Sequence, residues 1–168
     1  VTMPELPEVQ TVVDDLNEAL NCPVTIAKAN VFWPKMVDGL TPEEFNAKIS
    51  QSAINNIWRR AKYIVIDLNN SLNLIVHLRM TGHLLLAPKG TERNKHEHVT
   101  LELTDGRELR FHDTRKFGRF YVTDDIASFF AHIGPEPFSA EFSPEVLTGM
   151  LKGKSRKLKP LLLDQSFL

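Results

Sequence analysis

The sequence predicts an α+β protein, mainly β, built as an antiparallel two-sheet β-sandwich or flattened barrel with flanking helices. Three observations predict this fold. About six to eight short segments have the alternating or β-branched pattern of strands. Turn signals such as Thr104-Asp105-Gly106 join neighbouring segments as hairpins. The helical patterns stand at the two ends of the chain, before and after the strands.

The N-terminal part is predicted to contain a helix, a strand and a second helix. Pro7 suits the first turn of a helix, where its missing N–H would have no partner. A stripe at helical spacing then predicts a helix over residues 8–20 (Val9, Val12, Val13, Leu16 and Leu20). Residues 24–31 have a strand pattern. Thr41-Pro42-Glu43-Glu44 is a capping box that begins a helix ending near Ile49.

The central part is predicted to be a succession of strands, followed by short helices. The predicted strands are 61–68, 72–80, 84–87, 99–103, 107–112 and 117–122, with Asn69-Asn70 as the turn after the first. The predicted helices are 127–133, 143–151 and 160–168, and Gly134-Pro135-Glu136-Pro137 ends the first of them. We therefore expect a β-rich centre and a helical C-terminal end.

The composition limits the possible functions. The chain has 168 residues and a formal net charge of −1, which suits one domain and argues against a uniformly basic nucleic-acid binder. Its single cysteine, Cys22, excludes an internal disulfide and a multi-cysteine metal site. No apolar run approaches the ~20 residues of a membrane span, and no signal peptide is predicted. Cations are nevertheless concentrated locally, in Arg59-Arg60-Lys62, in Arg115-Lys116-Arg119 and over residues 152–159, which could form an anion-binding face.

Pro4-Glu5-Leu6-Pro7-Glu8 could place a secondary amine beside a carboxylic acid. A free N-terminal proline amine has a pKa of about 8, so a useful fraction is neutral and can attack carbon to form an iminium. The neighbouring glutamate could supply a proton. Because Val1-Thr2-Met3 precedes Pro4, this chemistry requires removal of residues 1–3, which we interpret as a natural start at Met3 behind an added extension. The alternative is that both prolines only stiffen a loop and begin a helix.

Two further motifs place apolar side chains and cations in predicted loops. His77-Leu78-Arg79-Met80-Thr81-Gly82 puts Met80 at a strand tip, and Asp113-Thr114-Arg115-Lys116-Phe117-Gly118 puts Phe117 two residues from Arg115. Loops lie at the surface, so these are unusual positions for core side chains. Apolar wedges flanked by cations suit a protein that enters a DNA base stack and holds phosphates.

Together, six motifs in order resemble the formamidopyrimidine-DNA glycosylase family of base-excision repair. They begin at Pro4, Arg59, His77, Asp113, Gly134 and Lys159. The resemblance implies that Pro4 is the nucleophile at the sugar C1′, Glu5 the acid, Glu8 an orienting carboxylate, Lys62 a phosphate holder and Lys159 a further active-site lysine. It also implies that His77 and Arg115 contact the DNA backbone, and that Met80, Arg115 and Phe117 fill the gap left by a flipped nucleotide.

The resemblance also implies an activity and a domain plan. We expect a bifunctional DNA glycosylase and AP lyase that removes 8-oxoguanine and formamidopyrimidines from double-stranded DNA by β,δ-elimination. Residues 4–151 would form the catalytic domain, and residues 152–168 the linker and start of a helix–two-turn–helix domain. The family's zinc finger has no counterpart in this sequence, so no cofactor is expected here. The resemblance further implies a monomer in the cytoplasm of a bacterium, associated with the nucleoid.

Two other functions also fit parts of the sequence. The chain could be a non-catalytic fragment that binds damaged DNA weakly, and as a truncated form we expect weak lyase activity at best. A tautomerase with an N-terminal proline would predict a shorter chain in which a strand follows the proline directly. The helix predicted after Pro4 and Glu5 and the basic loops argue against a tautomerase.

Overall fold

The computed structural model describes residues 3–168, which form two compact units, one ending at Asp124 and one comprising Asp125–Leu168. In the first unit the helices are α1 (Leu6–Ala19) and α2 (Pro42–Ile49), with a 3₁₀ turn at Pro34–Met36. Its strands are β1 (Val24–Val31), β2 (Ala53–Arg60), β3 (Tyr63–Leu68), β4 (Asn73–His77), β5 (Gly82–Pro88), β6 (Glu97–Leu103), β7 (Arg107–Asp113) and β8 (Arg119–Thr123). The second unit contains α3 (Ile126–Phe129), α4 (Pro144–Leu151) and α5 (Leu158–Leu162).

The eight strands form one antiparallel hydrogen-bonded series in the order β5-β7-β6-β1-β2-β3-β4-β8. Strand β1 joins the two halves, because Val24 and Thr25 pair with β2 whereas residues from Ile26 onward pair with β6. The predicted α+β fold, mainly β and antiparallel with flanking helices, is confirmed.

The strand order forces two chain segments to cross between opposite ends of the sheet. Strands β4 and β8 end the series on one side, and β5 and β7 end it on the other. The connections from β4 to β5 (crossover loop 1, residues 78–81) and from β7 to β8 (crossover loop 2, residues 114–118) therefore both span the two ends. The ends meet in the core, where the rings of Phe111 on β7 and Phe120 on β8 pack edge to face with centroids 5.0 Å apart. This closure places the two crossover loops side by side.

The two helices of the first unit cover the sheet with apolar stripes. Helix α1 buries Val9, Val13 and Leu16, as its spacing predicts, and its Asn17 side chain donates to the Ile57 carbonyl of β2 at 2.9 Å. Helix α2 buries Phe45 and Ile49. Its Thr41-Glu44 capping box forms as predicted, because the Thr41 hydroxyl accepts from the Glu44 amide at 3.2 Å. Within residues 3–168, no helix combines the length and apolar character needed to cross a membrane.

Several predicted boundaries are wrong, for backbone reasons. The strand predicted at 61–68 begins at Tyr63, because Ala61 adopts a positive φ of 50° and forms a turn with Lys62 after the unpredicted strand β2. The strand predicted to run to residue 80 ends at His77, because Arg79 also has a positive φ, of 57°. Phe117 precedes β8 instead of beginning it. The last predicted helix, 160–168, is the shorter α5, which begins two residues earlier.

Candidate active site

The N-terminal corner of the first unit brings two predicted site residues into contact. The turn between β2 and β3 carries Lys62 to the start of α1, where its Nζ lies 2.6 Å from the Glu5 carboxylate. The Lys62 side chain is buried with 8% of its surface exposed, and Glu5 is half-buried at 42%. Gln10 of α1 also accepts from the Arg59 guanidinium of β2 at 2.8 Å. The corner is therefore tied to the sheet by two side-chain contacts.

Glu8 completes the start of α1. Its carboxylate accepts from the backbone amide of Glu5 at 3.0 Å, which satisfies one of the helix's unpaired N–H groups. Glu8 itself is exposed. It thus fixes the backbone of Glu5, and an orienting function for Glu8 is compatible with this contact.

Pro4 immediately precedes Glu5 and is half-buried. Its nitrogen forms a peptide bond with Met3 in this sequence, so it has no lone pair for attack until residues 1–3 are removed. Of the three residues before Pro4, Met3 is the predicted natural start, and Val1 and Thr2, the predicted extension, lie outside the part described. The arrangement brings Pro4, Glu5 and Lys62 into one corner, and their chemical roles stay predictions.

His77, at the end of β4, is buried and holds the start of crossover loop 1. Only 2% of the residue is exposed, and its Nδ1 accepts from the backbone amide of Arg79 at 3.0 Å. Burial, together with the charges of Arg79 and Lys62, lowers the pKa of His77 to about 4. The ring is therefore neutral near pH 7, with its proton on Nε2. The predicted backbone contact of His77 stays a prediction, and the ring's observed partner is the protein's own chain.

The two crossover loops together expose an apolar surface edged by cations. A shallow cavity of about 340 Å³ is lined by Met3, Arg79, Met80, Phe117 and Arg119. Met80 is half-buried, whereas Phe117 is 46% exposed. The structure thus brings together Met80 and Phe117, which the sequence assigns to one wedge although they are 37 positions apart in the chain.

The other predicted wedge residue, Arg115, lies beside this surface. Its guanidinium stacks over the Phe117 ring, 4.8 Å from the ring centroid, and the residue is exposed. The adjacent Lys116 stacks in the same way on Trp33, at 4.0 Å. Cations placed over aromatic faces keep their charge available to phosphate while orienting the rings.

Asp113 joins the two crossover loops, and sequence reasoning missed this function. The residue is fully buried, and its carboxylate accepts from the Thr81 hydroxyl, from the Gly118 amide at 2.7 Å and from the Arg115 amide at 3.1 Å. Burial alone would raise the pKa of Asp113, but these hydrogen bonds and one from the Phe117 amide outweigh it and lower the pKa. An Asp placed just before a tight loop was the available signal, because such side chains often accept from backbone amides that follow.

Glycine is required where crossover loop 2 meets β8. A Cβ on Gly118 would lie 2.3 Å from the Phe111 ring and 3.2 Å from the Asp113 carboxylate. The close approach lets the Gly118 amide reach Asp113. Position 118 therefore requires a glycine because no space is left for a side chain.

Lys159 lies in the second unit, on α5, and is exposed. The basic residues near it, Lys152, Lys154, Arg156 and Lys157, are exposed as well. Its predicted function as an active-site lysine stays a prediction. Over residues 3–168 no group of three or more His, Cys, Asp or Glu side chains is arranged to hold a metal ion.

Comparison with known proteins agrees with the predicted resemblance. A family model described as the formamidopyrimidine-DNA glycosylase N-terminal domain matches residues 3–120. Formamidopyrimidine-DNA glycosylases of Protochlamydia amoebophila and Herpetosiphon aurantiacus are 43% and 45% identical to the chain over 99% of its length. The chain spans about three fifths of these relatives, 60% and 62% of their lengths.

Solved structures give the same result at the level of the fold. A Lactococcus lactis formamidopyrimidine-DNA glycosylase bound non-covalently to DNA containing an AP site has a TM-score of 0.89 and 32% identity to the chain, and the match covers 98% of this chain and 64% of that one. A complex of the same organism's enzyme with DNA containing FAPY-dG has a TM-score of 0.88 and 33% identity, covering 97% and 62% of the two chains.

Proposed function

The chain belongs to the formamidopyrimidine-DNA glycosylase family, and from this membership we propose that it is the catalytic N-terminal part of a base-excision DNA glycosylase with AP lyase activity. Its substrates would be oxidised purines, 8-oxoguanine and formamidopyrimidines, in double-stranded DNA. The contact that carries the proposal is the 2.6 Å ion pair between Lys62 and Glu5, one residue from Pro4. Beside the predicted nucleophile, Glu5 would then be the group that accepts and donates protons, and Lys62 the cation that binds phosphate.

The proposed chemistry begins at Pro4. With residues 1–3 removed, the neutral amine attacks C1′ of the damaged nucleotide, and the base leaves with the electron pair of the glycosidic bond. The proton that the amine loses passes to the Glu5 carboxylate, which donates it to the sugar ring oxygen as the ring opens. The resulting iminium permits removal of a C2′ proton, and β- and then δ-elimination release the two phosphates. Lys62 would hold the phosphate next to the lesion, and Glu8 keeps Glu5 in place through its amide. Lys159 would act as a further active-site lysine.

Base extrusion is the second part of the proposal. Flipping a nucleotide out of a duplex costs a few kcal/mol, and side chains that fill the vacated space offset this cost. Met80 and Phe117 share one surface and Arg115 stacks on the Phe117 ring, so the three side chains suit insertion into a base stack. His77 and Arg115 would contact the DNA backbone. We further propose that the protein acts as a monomer on chromosomal DNA in the bacterial cytoplasm.

Borohydride trapping on abasic duplex DNA tests the proposed nucleophile. Two preparations are compared, one beginning at Pro4 and one retaining Val1, Thr2 and Met3, and intact mass verifies both termini. We expect a covalent protein–DNA adduct only from the form that begins at Pro4, in low yield, since phosphate contacts supply much of the affinity and this chain represents part of the relatives' length. Equal trapping by both forms would show that an amine other than that of Pro4 attacks.

The alternative function is binding of damaged DNA without turnover. It predicts that the form beginning at Pro4 binds abasic duplex more tightly than intact duplex yet gives no adduct. The exposed wedge would account for such binding. The same preparations distinguish the two functions, because a mobility-shift measurement reports binding and the trapping reaction reports the covalent step.

A further inference from the structure

Crossover loop 1 is a tight turn that the sequence alone would not favour. Arg79 has a left-handed backbone, with a φ of 57°, although it is not a glycine. Such a conformation costs a non-glycine residue about 1 kcal/mol or more, so the surrounding structure must stabilise it. The turn is closed at its far end by the Gly82 amide, which donates to the Leu78 carbonyl at 3.0 Å. The turn is also bound to the end of β7, because the Thr81 hydroxyl donates to the Asp113 carboxylate.

The near end of the turn depends on His77. The amide of Arg79, the residue with the left-handed backbone, donates to His77 Nδ1 at 3.0 Å, and the ring is only 2% exposed. The next residue in the chain is Met80, whose side chain lines the cavity with Phe117. The ring nitrogen is therefore one residue away from the proposed wedge and fixes the backbone that presents it.

We infer that His77 is a positioning residue for Met80: its Nδ1 accepts the Arg79 amide, holds the left-handed turn, and so sets the wedge before DNA arrives. The inference rests on the proposed function, because it assumes that Met80 is a wedge. In this inference Nδ1 of the imidazole binds the protein backbone, and this function is separate from any contact that Nε2 makes with phosphate.

The surroundings of the ring keep Nδ1 available as an acceptor. His77 pairs across the sheet with Tyr63 of β3 and with Arg119 of β8, and the Tyr63 ring packs edge-on at 4.5 Å. Arg79 of the same loop and Lys62 of the neighbouring turn add positive charge. Tyr121, two residues beyond Arg119 on β8, is on the same face of the sheet. Burial of the ring, and then the charges of Arg79 and Lys62, disfavour a second proton and lower the pKa of His77.

Two amide variants separate positioning from simple packing. In His77→Asn the side-chain oxygen can stand where Nδ1 stands and accept from Arg79, whereas in His77→Gln the oxygen reaches past this position. The first readout uses the free protein: the methyl resonance of Met80, one of four methionines, in protein labelled at the methionine methyl carbon. We expect the wild-type resonance position in His77→Asn and a shifted, broadened resonance in His77→Gln. Identical spectra for the two variants would overturn the inference.

The second readout uses DNA. A duplex carries an abasic-site analogue with 2-aminopurine beside it, and its fluorescence rises when a side chain disrupts the stack. We expect His77→Gln to need about fivefold more protein for half the change than His77→Asn, the factor that one backbone hydrogen bond contributes, although the glutamine amide can replace a phosphate contact of Nε2 and the asparagine amide cannot. Equal responses of the two variants would contradict the inference. No response from wild type would contradict the proposed wedge itself, while the methyl spectra would still report on His77.

A rescue variant controls for a folding defect in His77→Gln. Glycine adopts positive φ without strain, so Arg79→Gly should make the turn independent of His77. We expect His77→Gln combined with Arg79→Gly to give the Met80 resonance of Arg79→Gly alone. A double variant that keeps the displaced resonance of His77→Gln would show that His77 acts through packing and not through the Arg79 turn.

Discussion

The N-terminal corner and the crossover loops are held by different kinds of polar contact. In the corner, Glu5 and Lys62 pair through side chains, and the Glu5 carboxylate is 42% exposed. At the strand ends that lead into the crossover loops, Asp113 and His77 are buried, at 0% and 2% exposure, and both accept from backbone amides. The first arrangement leaves a carboxylate open to a new partner. In the second arrangement, the side-chain acceptors are already occupied by hydrogen bonds to the protein backbone.

The two kinds of contact separate residues that react with DNA from residues that hold others in position. A group that reacts with DNA must exchange its partner, so a partly exposed carboxylate such as Glu5 suits this function, even though its partner Lys62 is buried. A group that positions a wedge must not exchange its partner, so burial and several backbone donors suit it. Substitution in the corner should therefore reduce activity at nearly constant stability, and substitution of the buried acceptors should reduce stability.

The largest expected effect is on activity in the corner. Glu5→Gln removes the proton donor while keeping the shape of the side chain, and we expect trapping rates to fall by about 10² to 10⁴-fold, the usual contribution of a general acid. The free energy of unfolding should fall by only about 1 kcal/mol, because the glutamine amide oxygen can still accept from the buried Lys62 ammonium. Single-turnover trapping and urea unfolding measure the two quantities.

Glu18→Gln is the matched control, because it changes an exposed carboxylate of the same helix. It should leave both trapping and stability unchanged. A large loss of stability in Glu5→Gln would break the comparison, because it would give the corner a structural function like that of the crossover loops.

The next largest effect should be the loss of stability in Asp113→Ala. The change leaves the amides of Arg115 and Gly118 and the Thr81 hydroxyl without their buried acceptor, and each unsatisfied group costs about 1–3 kcal/mol. We expect the free energy of unfolding to fall by about 3–5 kcal/mol in urea.

Asp105→Ala serves as the reference for this measurement, since Asp105 is an exposed carboxylate in the β6–β7 hairpin that pairs with Arg107. Its loss should cost less than about 1 kcal/mol. Equal losses in the two variants would mean that burial of the Asp113 network adds nothing, and the distinction between the two regions would fail.

Much of the fold follows from sequence periodicity. The stripe of α1, the capping box of α2 and the hairpin between β6 and β7 all form where the sequence predicts them. Strand β2 was missed because Asn55 and Asn56 lower its strand propensity, while pairing with β3 stabilises it. Tertiary pairing overrides local preference in such a segment.

The candidate site likewise contains some residues that could be predicted from the sequence and others that could not. Pro4 and Glu5 could be proposed because their chemistry is visible in the residue types, Met80 and Phe117 because they are apolar residues in loops, and Lys62 through the family resemblance. The functions of Asp113 and of Arg110 could not be predicted, because they depend on partners brought together by folding. Arg110 is buried and donates to the Thr91 carbonyl at 2.7 Å and to the Glu97 carboxylate at 3.2 Å, so it anchors the segment that connects β5 to β6.

The smallest effect should appear in the pH dependence of stability, and it concerns His77. Its folded pKa of about 4 lies below the ordinary value of 6.5, so between these values the unfolded state binds more protons. The contribution of His77 to stability is therefore complete above about pH 6.5 and is lost as the pH falls toward 4. From pH 7 to pH 5 this group alone should lower the free energy of unfolding by about 2 kcal/mol.

His77→Asn sharpens the test, because it keeps an acceptor for Arg79 but cannot titrate. Urea unfolding at pH 5, 6 and 7 should show a smaller decrease for His77→Asn than for wild type, whereas His83→Gln, which replaces an exposed histidine, should retain the wild-type slope. The buried His98 also has a lowered pKa, caused by burial, and should leave a residual slope of the same sign in every variant. If stability depended on pH with the same slope in His77→Asn and in wild type, His77 would take up protons in the folded state as readily as in the unfolded state. The ring would then resemble the accessible groups of the N-terminal corner and would not be a fixed hydrogen-bond acceptor.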